Sequence, residues 1–310
     1  MNAVTAIVPV LLMLALGVFA RKCRIISDEM NAGIKKLIFS ILLPILVFNA
    51  AFTMSVDPKY MQLMGYMFGL QCAALAMGFV VFRLWKTDYS HISPYLMTTI
   101  EGGNAFYPLY TSLVGTAYTS YFVLLDIPCI FMVFLVIPLL LTRTASGSAN
   151  PKEMLRSVYT NPVICALAAG ILLNVTGISR AFMSTPASSI YEAVVGNATG
   201  LIAPLILFTL GHSIRIGRNN LSPMLKTLLV RLVLMGCGVA LAFALFPWIL
   251  EDEALKIAVM LFLMCPPAFA YPIILDKLYK GEKDGQFCST YISLHMLATV
   301  LIFALIALFV

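Results

Sequence analysis

Long apolar runs alternate with short polar connections along the whole chain. Each run extends over roughly 17–25 residues, the length that an α-helix needs to cross the hydrocarbon core of a bilayer. The runs are continuous rather than alternating, so the pattern predicts spanning helices and not the strands of a membrane barrel. We predict ten spans, near residues 4–20, 34–53, 61–84, 93–114, 117–142, 157–176, 196–215, 223–247, 254–279 and 286–310.

The composition places this pattern in lipid. Of the 310 residues, 61% are hydrophobic and only 11% are charged, whereas soluble domains carry about 25% charged residues. A net charge of +6 would suit a nucleic-acid partner, but the basic residues lie in short clusters between apolar runs. We therefore predict an all-α membrane protein whose partner is the bilayer, with no nucleic-acid partner.

The basic residues also predict the orientation of the spans. The first apolar run precedes the basic cluster at 21–24, which is not the order of a cleaved signal peptide. With the N-terminus outside, only Lys59, Arg180 and Lys256 of the 20 Lys and Arg residues fall outside. Cytoplasmic loops carry the excess of positive charge, so we expect a multi-pass protein of the cell inner membrane with both termini on the non-cytoplasmic side.

The two halves of the chain share three features in the same order. Pro9 and Gly17 in the first half match Pro162 and Gly170 in the second. The segment Pro44–Phe48 matches Pro204–Phe208, and the pair Tyr107-Pro108 matches Tyr271-Pro272. Five spans per half would place the second half upside down in the membrane, as in many secondary transporters. We predict a first five-helix repeat at 1–145, a cytoplasmic linker at 146–156 and a second, inverted repeat at 157–310.

Predicted spans 4 and 9 contain residues that interrupt a helix. Residues 101–108 read Glu-Gly-Gly-Asn-Ala-Phe-Tyr-Pro, and residues 265–272 contain three prolines. An internal proline costs a helix about 3 kcal/mol, and non-helical backbone survives at this depth only where protein or water satisfies it. Matching interruptions in two halves indicate a transport site, where freed N–H groups suit a carboxylate and freed carbonyls suit a cation. A pair of kinks that only shape the bundle is the alternative.

Three ionisable side chains lie far from any span end: Glu101, Asp126 and His295. Such residues usually face a cavity or a partner. We expect Glu101 to hold a cation or take up a proton. Asp126 and His295 either belong to a proton relay or hydrogen-bond neighbouring helices, and Asn49 of span 2 either reaches the site or forms an inter-helix hydrogen bond.

Five further polar side chains are less informative. His212, Arg215 and Arg231 lie near the predicted cytoplasmic face, and we interpret them as anchors; Arg231, about two turns into span 8, would extend its head group to that face. Tyr107 and Tyr271 either present hydroxyls to a substrate or pack as rings.

Signatures of enzymes are missing from the sequence. It contains no HExxH, GxSxG, Walker or GxGxxG motif, and its seven cysteines show no metal-ligand spacing. We therefore expect a protein that is not an enzyme and has no cofactor, with H⁺ or Na⁺ as the ion that would couple to transport.

The motifs together resemble those of the auxin-efflux-carrier family, which includes the plant PIN carriers and bacterial permeases. The resemblance rests on 43–48, 161–170, 204–211 and the proline-containing centres of spans 4 and 9. It implies a bile-acid-symporter-like fold with two crossed broken helices, elevator-type alternating access and substrates such as malate, malonate or auxin-like acids. One position departs from the family pattern, since Glu101 stands where an Asn is usual and Asn104 follows three residues later.

We therefore predict a secondary transporter of a small organic anion. The residues expected to form its site are Glu101, Asn104, Tyr107, Pro108, Pro267, Ala268, Tyr271 and Pro272, flanked by Asp126, His295 and Asn49. Proton coupling is the first expectation, sodium coupling the second, and uncoupled flux stays open, as does a homodimer. The alternatives are a cation/proton exchanger on a similar fold and a membrane receptor or sensor that transports nothing.

Overall fold

The computed structural model describes residues 3–54, 58–102, 106–115, 118–146, 160, 162–213 and 221–309. Every regular element in these residues is helical, so the predicted all-α class is confirmed. The α-helices are α1 (Ala3–Lys22), α2 (Asp28–Leu37), α3 (Leu43–Thr53), α4 (Pro58–Trp85), α5 (Tyr107–Val114), α6 (Thr119–Phe131), α7 (Ile137–Ser146), α8 (Pro162–Val175), α9 (Ile178–Met183), α10 (Ala187–Gly200), α11 (Ile202–Ser213), α12 (Leu221–Leu245), α13 (Glu253–Leu263), α14 (Tyr271–Ile274) and α15 (Glu282–Phe309). Short 3₁₀ turns lie at Tyr95–Met97, Pro247–Glu251 and Leu275–Leu278.

Six helices in the described residues are long and apolar enough to cross a bilayer. They coincide with predicted spans 2, 3, 5, 7, 8 and 10, and they run over Asp28–Thr53, Pro58–Trp85, Ser120–Leu141, Ala187–Ser213, Leu221–Leu245 and Glu282–Ala307. Large apolar side chains such as Leu84 and Val175 stay 74% exposed on the outside of the bundle, as expected where the solvent is lipid. The chain is a multi-pass membrane protein, while the count of ten spans stays a prediction.

Two of these spans widen into a π-helical turn directly before a proline. The turns lie at Ile38–Leu42 before Pro44 and at Met132–Val136 before Pro138. A proline in a helix donates no hydrogen bond and its ring clashes with the carbonyl four residues earlier. A wider turn relieves that clash without ending the helix, so α2 continues into α3 and α6 into α7.

Two helix pairs, α1 with α11 and α3 with α8, pack with their backbones in close approach. A Cβ on Gly17 would overlap the carbonyl oxygen of Phe208, and a Cβ on Gly170 would overlap the carbonyl oxygen of Phe48. Each glycine lies eight residues after a proline of its helix, and each phenylalanine lies four residues after one. The two contacts therefore correspond residue by residue between the two halves. We call these the scaffold pairs.

Helix α13 lies at the centre of the remaining bundle. Eight of its eleven residues are buried, and only the narrow stripe of Glu253, Lys256 and Met260 is partly exposed. It packs against α5, α6, α12 and α15. Its last turn, at Leu263, therefore ends inside the protein and not at a membrane surface.

A cluster of side chains joins the connection before predicted span 4 to the start of α15. His91 Nε2 lies 2.9 Å from Asp284 Oδ2, which also accepts from the Lys280 backbone N–H at 2.7 Å. Beside it, the rings of Tyr89 and Phe287 stack with their centroids 3.9 Å apart. These contacts hold the start of predicted span 4 next to the connection between predicted spans 9 and 10.

Candidate functional site

The chain of predicted span 4 is not helical between Thr98 and Gly102. Thr99 has a φ of +55°, a left-handed conformation that a β-branched residue adopts only under strain. Gly102 has no room for a side chain, because a Cβ there would overlap the ring of Phe262. A helix resumes with α5 at Tyr107. Asn104, a predicted site residue, lies outside the described residues.

The chain of predicted span 9 is interrupted between Met264 and Ala270. α13 ends at Leu263, and the next helical residue is Tyr271 at the start of α14. Pro266 and Pro267 lie in this stretch and have no N–H to continue the helix. Both prolines are buried, so the neighbouring backbone groups need partners from the protein.

The two interruptions provide partners for each other. The Glu101 backbone N–H donates to the Pro266 carbonyl at 2.7 Å. In return, the Phe269 N–H donates to Glu101 Oε2 at 3.1 Å and the Ala268 N–H lies 3.3 Å from Thr99 Oγ1. We call residues 98–102 and 264–270 together the crossover. Its backbone is held by contacts between residues more than 160 positions apart.

Arg231 of α12 provides the largest set of hydrogen bonds at the crossover. Its Nη1 donates to the carbonyls of Leu96 at 2.8 Å and Thr98 at 2.9 Å. Its Nη2 donates to the carbonyls of Thr99 at 2.5 Å and Cys265 at 3.3 Å. One guanidinium therefore binds carbonyls of both interrupted spans, at the ends where helical hydrogen bonding stops.

This arrangement corrects the interpretation of Arg231 as an anchor at the cytoplasmic face. The side chain is fully buried and points inward. His212 is also buried, with Nε2 2.9 Å from the Ile26 carbonyl, and Arg215 lies outside the described residues. A basic side chain two turns into a span can extend toward the membrane surface or toward the protein interior. Arg231 extends inward, because the carbonyls at the crossover accept its hydrogen bonds.

An inner cavity of about 40 Å³ lies directly against the crossover. Both Glu101 and Asp126 line it, together with Ile100, Cys129 and the crossover residues Ala268 and Ala270. The space accommodates one or two water molecules. The structure thus brings two of the three predicted ionisable residues to the same small cavity.

A much larger outer cavity, about 900 Å³, adjoins the inner one. The two share Phe39, Phe134 and Ala270 as wall residues, and both phenylalanines belong to the π-helical turns. This volume lies within the range of small-molecule sites. Its polar wall residues are Asp28, Asn31, Lys35, Lys36, Ser40, Ser213, Glu282, Gln286 and Ser289.

His295 is buried in α15 beside other polar groups. Its Nδ1 lies 3.4 Å from the Tyr291 hydroxyl, and Thr299 donates to both the His295 carbonyl and the Met264 carbonyl of the crossover. The Met264 contact places α15 directly against the interruption of span 9. Both interpretations of His295, relay and packing, stay open.

The remaining predicted site residues fall in three places. Tyr271 is fully buried at the start of α14, and Pro272 lines the outer cavity. Tyr107 and Pro108 open α5, but their side chains lie outside the description. Asn49 lies in α3, where its Oδ1 accepts from the Tyr191 hydroxyl at 2.9 Å. Asn49 therefore forms the inter-helix hydrogen bond that was one of its two predicted roles.

Sequence reasoning missed a polar cluster on the wall of the outer cavity. Lys35 Nζ donates to Ser213 Oγ at 3.0 Å, and Asn31 Nδ2 donates to the same oxygen at 3.3 Å. Asn31 is only 5% exposed. In the sequence, Lys35 was interpreted only as a cytoplasmic charge. The available signal was its spacing of four residues from Asn31, which puts the two side chains on one helix face.

Among the described residues, no group of three or more His, Cys, Asp and Glu side chains lies close enough to hold a metal ion. The polar groups that converge at the crossover are backbone N–H groups, backbone carbonyls, two carboxylic side chains, the hydroxyls of Thr99 and Thr299 and one guanidinium. Comparison with known proteins adds no assignment: no family model matches the chain, and no curated protein sequence matches it. The crossover and its cavities are therefore the features that bear on function.

Proposed function

We propose that this chain is a secondary transporter of a small organic anion, of the auxin-efflux-carrier type, with its binding site at the crossover. The observation that carries the proposal is the mutual hydrogen bonding of two helix interruptions, Glu101 with Pro266 and Phe269, at the wall of a cavity. Non-helical backbone inside a membrane protein is tolerated where it lines a cavity, and transporters bind substrates at such places. A bundle that only needed kinked helices would not require the two kinks to share hydrogen bonds.

The basic side chains near the two cavities are compatible with an anion. Glu101 by itself would repel a carboxylate, but Arg231 bonds to Thr99, two residues before Glu101, and to Cys265, beside the Pro266 that Glu101 contacts. On the outer cavity, Lys35 and Lys36 are matched by Asp28 and Glu282, so its wall has no net formal charge and does not by itself repel an anion. A buried carboxylate is stabilised by neighbouring cations, and Glu101 takes up a proton when the anionic substrate binds beside it and Asp126.

The two cavities support alternating access. The outer cavity lies beside the basic end of α2, on the side predicted to be cytoplasmic, and it meets the inner cavity at Phe39, Phe134 and Ala270. In this state a substrate reaches the crossover from that side. A movement of the crossover bundle relative to the scaffold pairs would open the opposite side, with Glu101 taking up and releasing a proton.

The test is uptake of labelled malate and malonate into proteoliposomes, with and without a pH gradient. We expect saturable uptake that a pH gradient increases, and Glu101→Gln should remove at least most of the increase. Gln keeps an acceptor for the Phe269 N–H, so stability should change little. Glu251→Gln is the matched control, because Glu251 is exposed on the connection between α12 and α13. Unchanged gradient-driven uptake in Glu101→Gln would contradict the coupling role.

A second candidate, a cation/proton exchanger, is favoured by one observation. Glu101 and Asp126 line the same inner cavity, and paired carboxylates suit a cation or a shared proton. Proton movement driven by a Na⁺ or K⁺ gradient, with no uptake of any carboxylate, would select this function. Saturable binding of an acid without flux would instead select the receptor.

A further inference from the structure

The outer cavity is large enough to hold an organic acid such as malate, and the inner cavity is not. The inner cavity, about 40 Å³, holds one or two water molecules, whereas the outer cavity encloses about 900 Å³. An acid that enters in this state is therefore held in the outer cavity before it reaches the crossover. The side chains on that wall decide which acids are retained there.

The charged residues on the wall of the outer cavity differ in exposure. Asp28, Lys36 and Glu282 are exposed, so solvent and salt screen their charges. Lys35 is half-buried, and it also lines a small cavity of about 10 Å³ together with the crossover residue Phe269. The least screened charge on this wall is therefore positive, and it lies on the side of the crossover.

The hydrogen bonds around Lys35 leave donors and one acceptor unused. Ser213 Oγ accepts from Lys35 Nζ and from Asn31 Nδ2, and it donates its proton to the Thr209 carbonyl at 2.7 Å. Because that proton is committed, Asn31 must present its nitrogen to Ser213, and its Oδ1 points elsewhere. This buried Oδ1 has no donor among the described residues. Lys35 has three N–H donors, and Ser213 takes one of them.

We propose that Lys35, Asn31 and Ser213 form a subsite for a 2-hydroxy acid in the outer cavity. The Lys35 ammonium binds the carboxylate, and Asn31 Oδ1 accepts a hydrogen bond from the hydroxyl on the adjacent carbon. The subsite rests on the proposed transport function and names the class of acid that this function prefers. It selects an acid in the outer cavity before the acid reaches the crossover.

The spacing of the two side chains suits adjacent functional groups. Asn31 and Lys35 both bind Ser213 Oγ, at 3.3 Å and 3.0 Å, so their polar ends lie close together. The carboxylate and the hydroxyl of a 2-hydroxy acid are likewise neighbours. Succinate, a dicarboxylate without the hydroxyl, would leave the Asn31 Oδ1 without a donor. A site that hydrogen-bonds a ligand hydroxyl discriminates against an analogue that lacks it.

The experiment compares the binding of malate and succinate to the purified full chain in detergent by isothermal titration. We expect wild type to bind malate about tenfold more tightly than succinate, the difference that one hydrogen bond to a buried group makes. Lys35→Gln should weaken the binding of both acids about tenfold, because a charged donor is lost. Lys36→Gln is the matched control, since it removes an exposed charge from the same wall, and it should bind both acids as wild type does.

Asn31→Leu tests the hydroxyl contact separately. Leu has nearly the shape of Asn but no acceptor, so the affinity for malate should fall to that for succinate, and the affinity for succinate should stay unchanged. The melting temperature of each variant without ligand shows whether it is folded.

A measurement on wild type decides the role of Lys35 even if no variant can be purified. Malate should slow the acylation of Lys35 by an amine reagent, and the acylation of Lys36 should proceed as before. Mass spectrometry of peptides that contain each lysine reports both rates.

Four results would overturn the subsite. These are no saturable binding of any acid by wild type, equal affinities of wild type for malate and succinate, equal losses in Lys35→Gln and Lys36→Gln, and equal protection of both lysines by malate. Uptake of malate into proteoliposomes together with any of the last three would refute the subsite and leave transport established. Binding that depends on Lys35 without uptake would support the subsite and refute the proposed transport function.

Discussion

The two halves of the chain make matching contacts in the scaffold pairs but contribute different residues to the crossover. In the scaffold pairs the same contact occurs twice, with Gly17 against the Phe208 carbonyl and Gly170 against the Phe48 carbonyl. At the crossover each charged group occurs once. Arg231 lies 27 residues after Pro204, and its counterpart 27 residues after Pro44 is Gln71. Glu101 lies seven residues before Pro108, and its counterpart seven residues before Pro272 is Cys265.

The difference follows from what each region must do. Two helices can approach closely only where both present small residues or bare backbone, so each scaffold pair needs its own glycine. The crossover is a single place formed by both halves. One guanidinium holds carbonyls of both halves there, and Glu101 is the one carboxylic side chain of residues 98–102 and 264–270, while Asp126 reaches the adjoining cavity from α6. A second guanidinium would add a buried charge without a partner.

Filling the scaffold contacts is expected to have the largest effect among the substitutions that remove no hydrogen bond. Gly17→Ala and Gly170→Ala should each lower the free energy of unfolding by about 2 kcal/mol, because the overlap with a backbone carbonyl exceeds the gain in helix propensity. Chemical unfolding in detergent measures this. Gly196→Ala is the control, since a Cβ there meets nothing within 4 Å, and it should be neutral or slightly stabilising. Clearly unequal losses at Gly17 and Gly170 would show that the two contacts are not equivalent.

A smaller effect is expected from the hydrogen bond that joins α3 to α10. Tyr191→Phe removes the hydroxyl that donates to Asn49 but keeps the ring, which lies 5.6 Å from the Phe52 ring. Hydrogen bonds between membrane helices contribute about 0.6 kcal/mol on average, so the variant should unfold slightly more easily. Malate uptake should be unchanged. A selective loss of uptake with unchanged stability would show that Asn49 belongs to the transport site and not to the scaffold.

The smallest effect is expected at Gln71. Gln71→Leu removes a buried amide whose Oε1 has no hydrogen-bond partner among the described residues, so the free energy of unfolding should change by less than about 1 kcal/mol in either direction. Arg231→Leu at the equivalent position should cost about 3–5 kcal/mol, because four carbonyls lose their donor. Equal losses of unfolding free energy in Gln71→Leu and Arg231→Leu would show that the two halves contribute equally at this position, contrary to the comparison above.

Much of the local structure could be predicted from residue types. Pro266 and Pro267 have no N–H, and Gly102 has no side chain, so a reader of the sequence can expect helices to stop near them. The long apolar runs predicted the six helices that are long enough to cross a bilayer. What local chemistry does not predict is the form of the spans before Pro44 and Pro138, where the helix widens into a π turn and continues.

The partners of the polar side chains could not be predicted in the same way. Arg231 was expected at the membrane surface and is instead fully buried at the crossover. Asn49 could have reached the site or a neighbouring helix, and the structure shows Tyr191 as its partner. The cluster of Lys35, Asn31 and Ser213 brings together residues from distant parts of the chain, which spacing along one helix does not reveal.

The sequence alone determined that this chain crosses a membrane as helices and that two of its apolar segments are interrupted, because both properties depend on side-chain hydrophobicity and on which residues lack an N–H or a Cβ. Only the tertiary structure decided that the interruptions bond to each other and that Arg231 holds them. The physical reason is that every residue has a carbonyl. A donor such as a guanidinium has hundreds of identical candidate acceptors in the sequence, and packing alone selects the four that it binds.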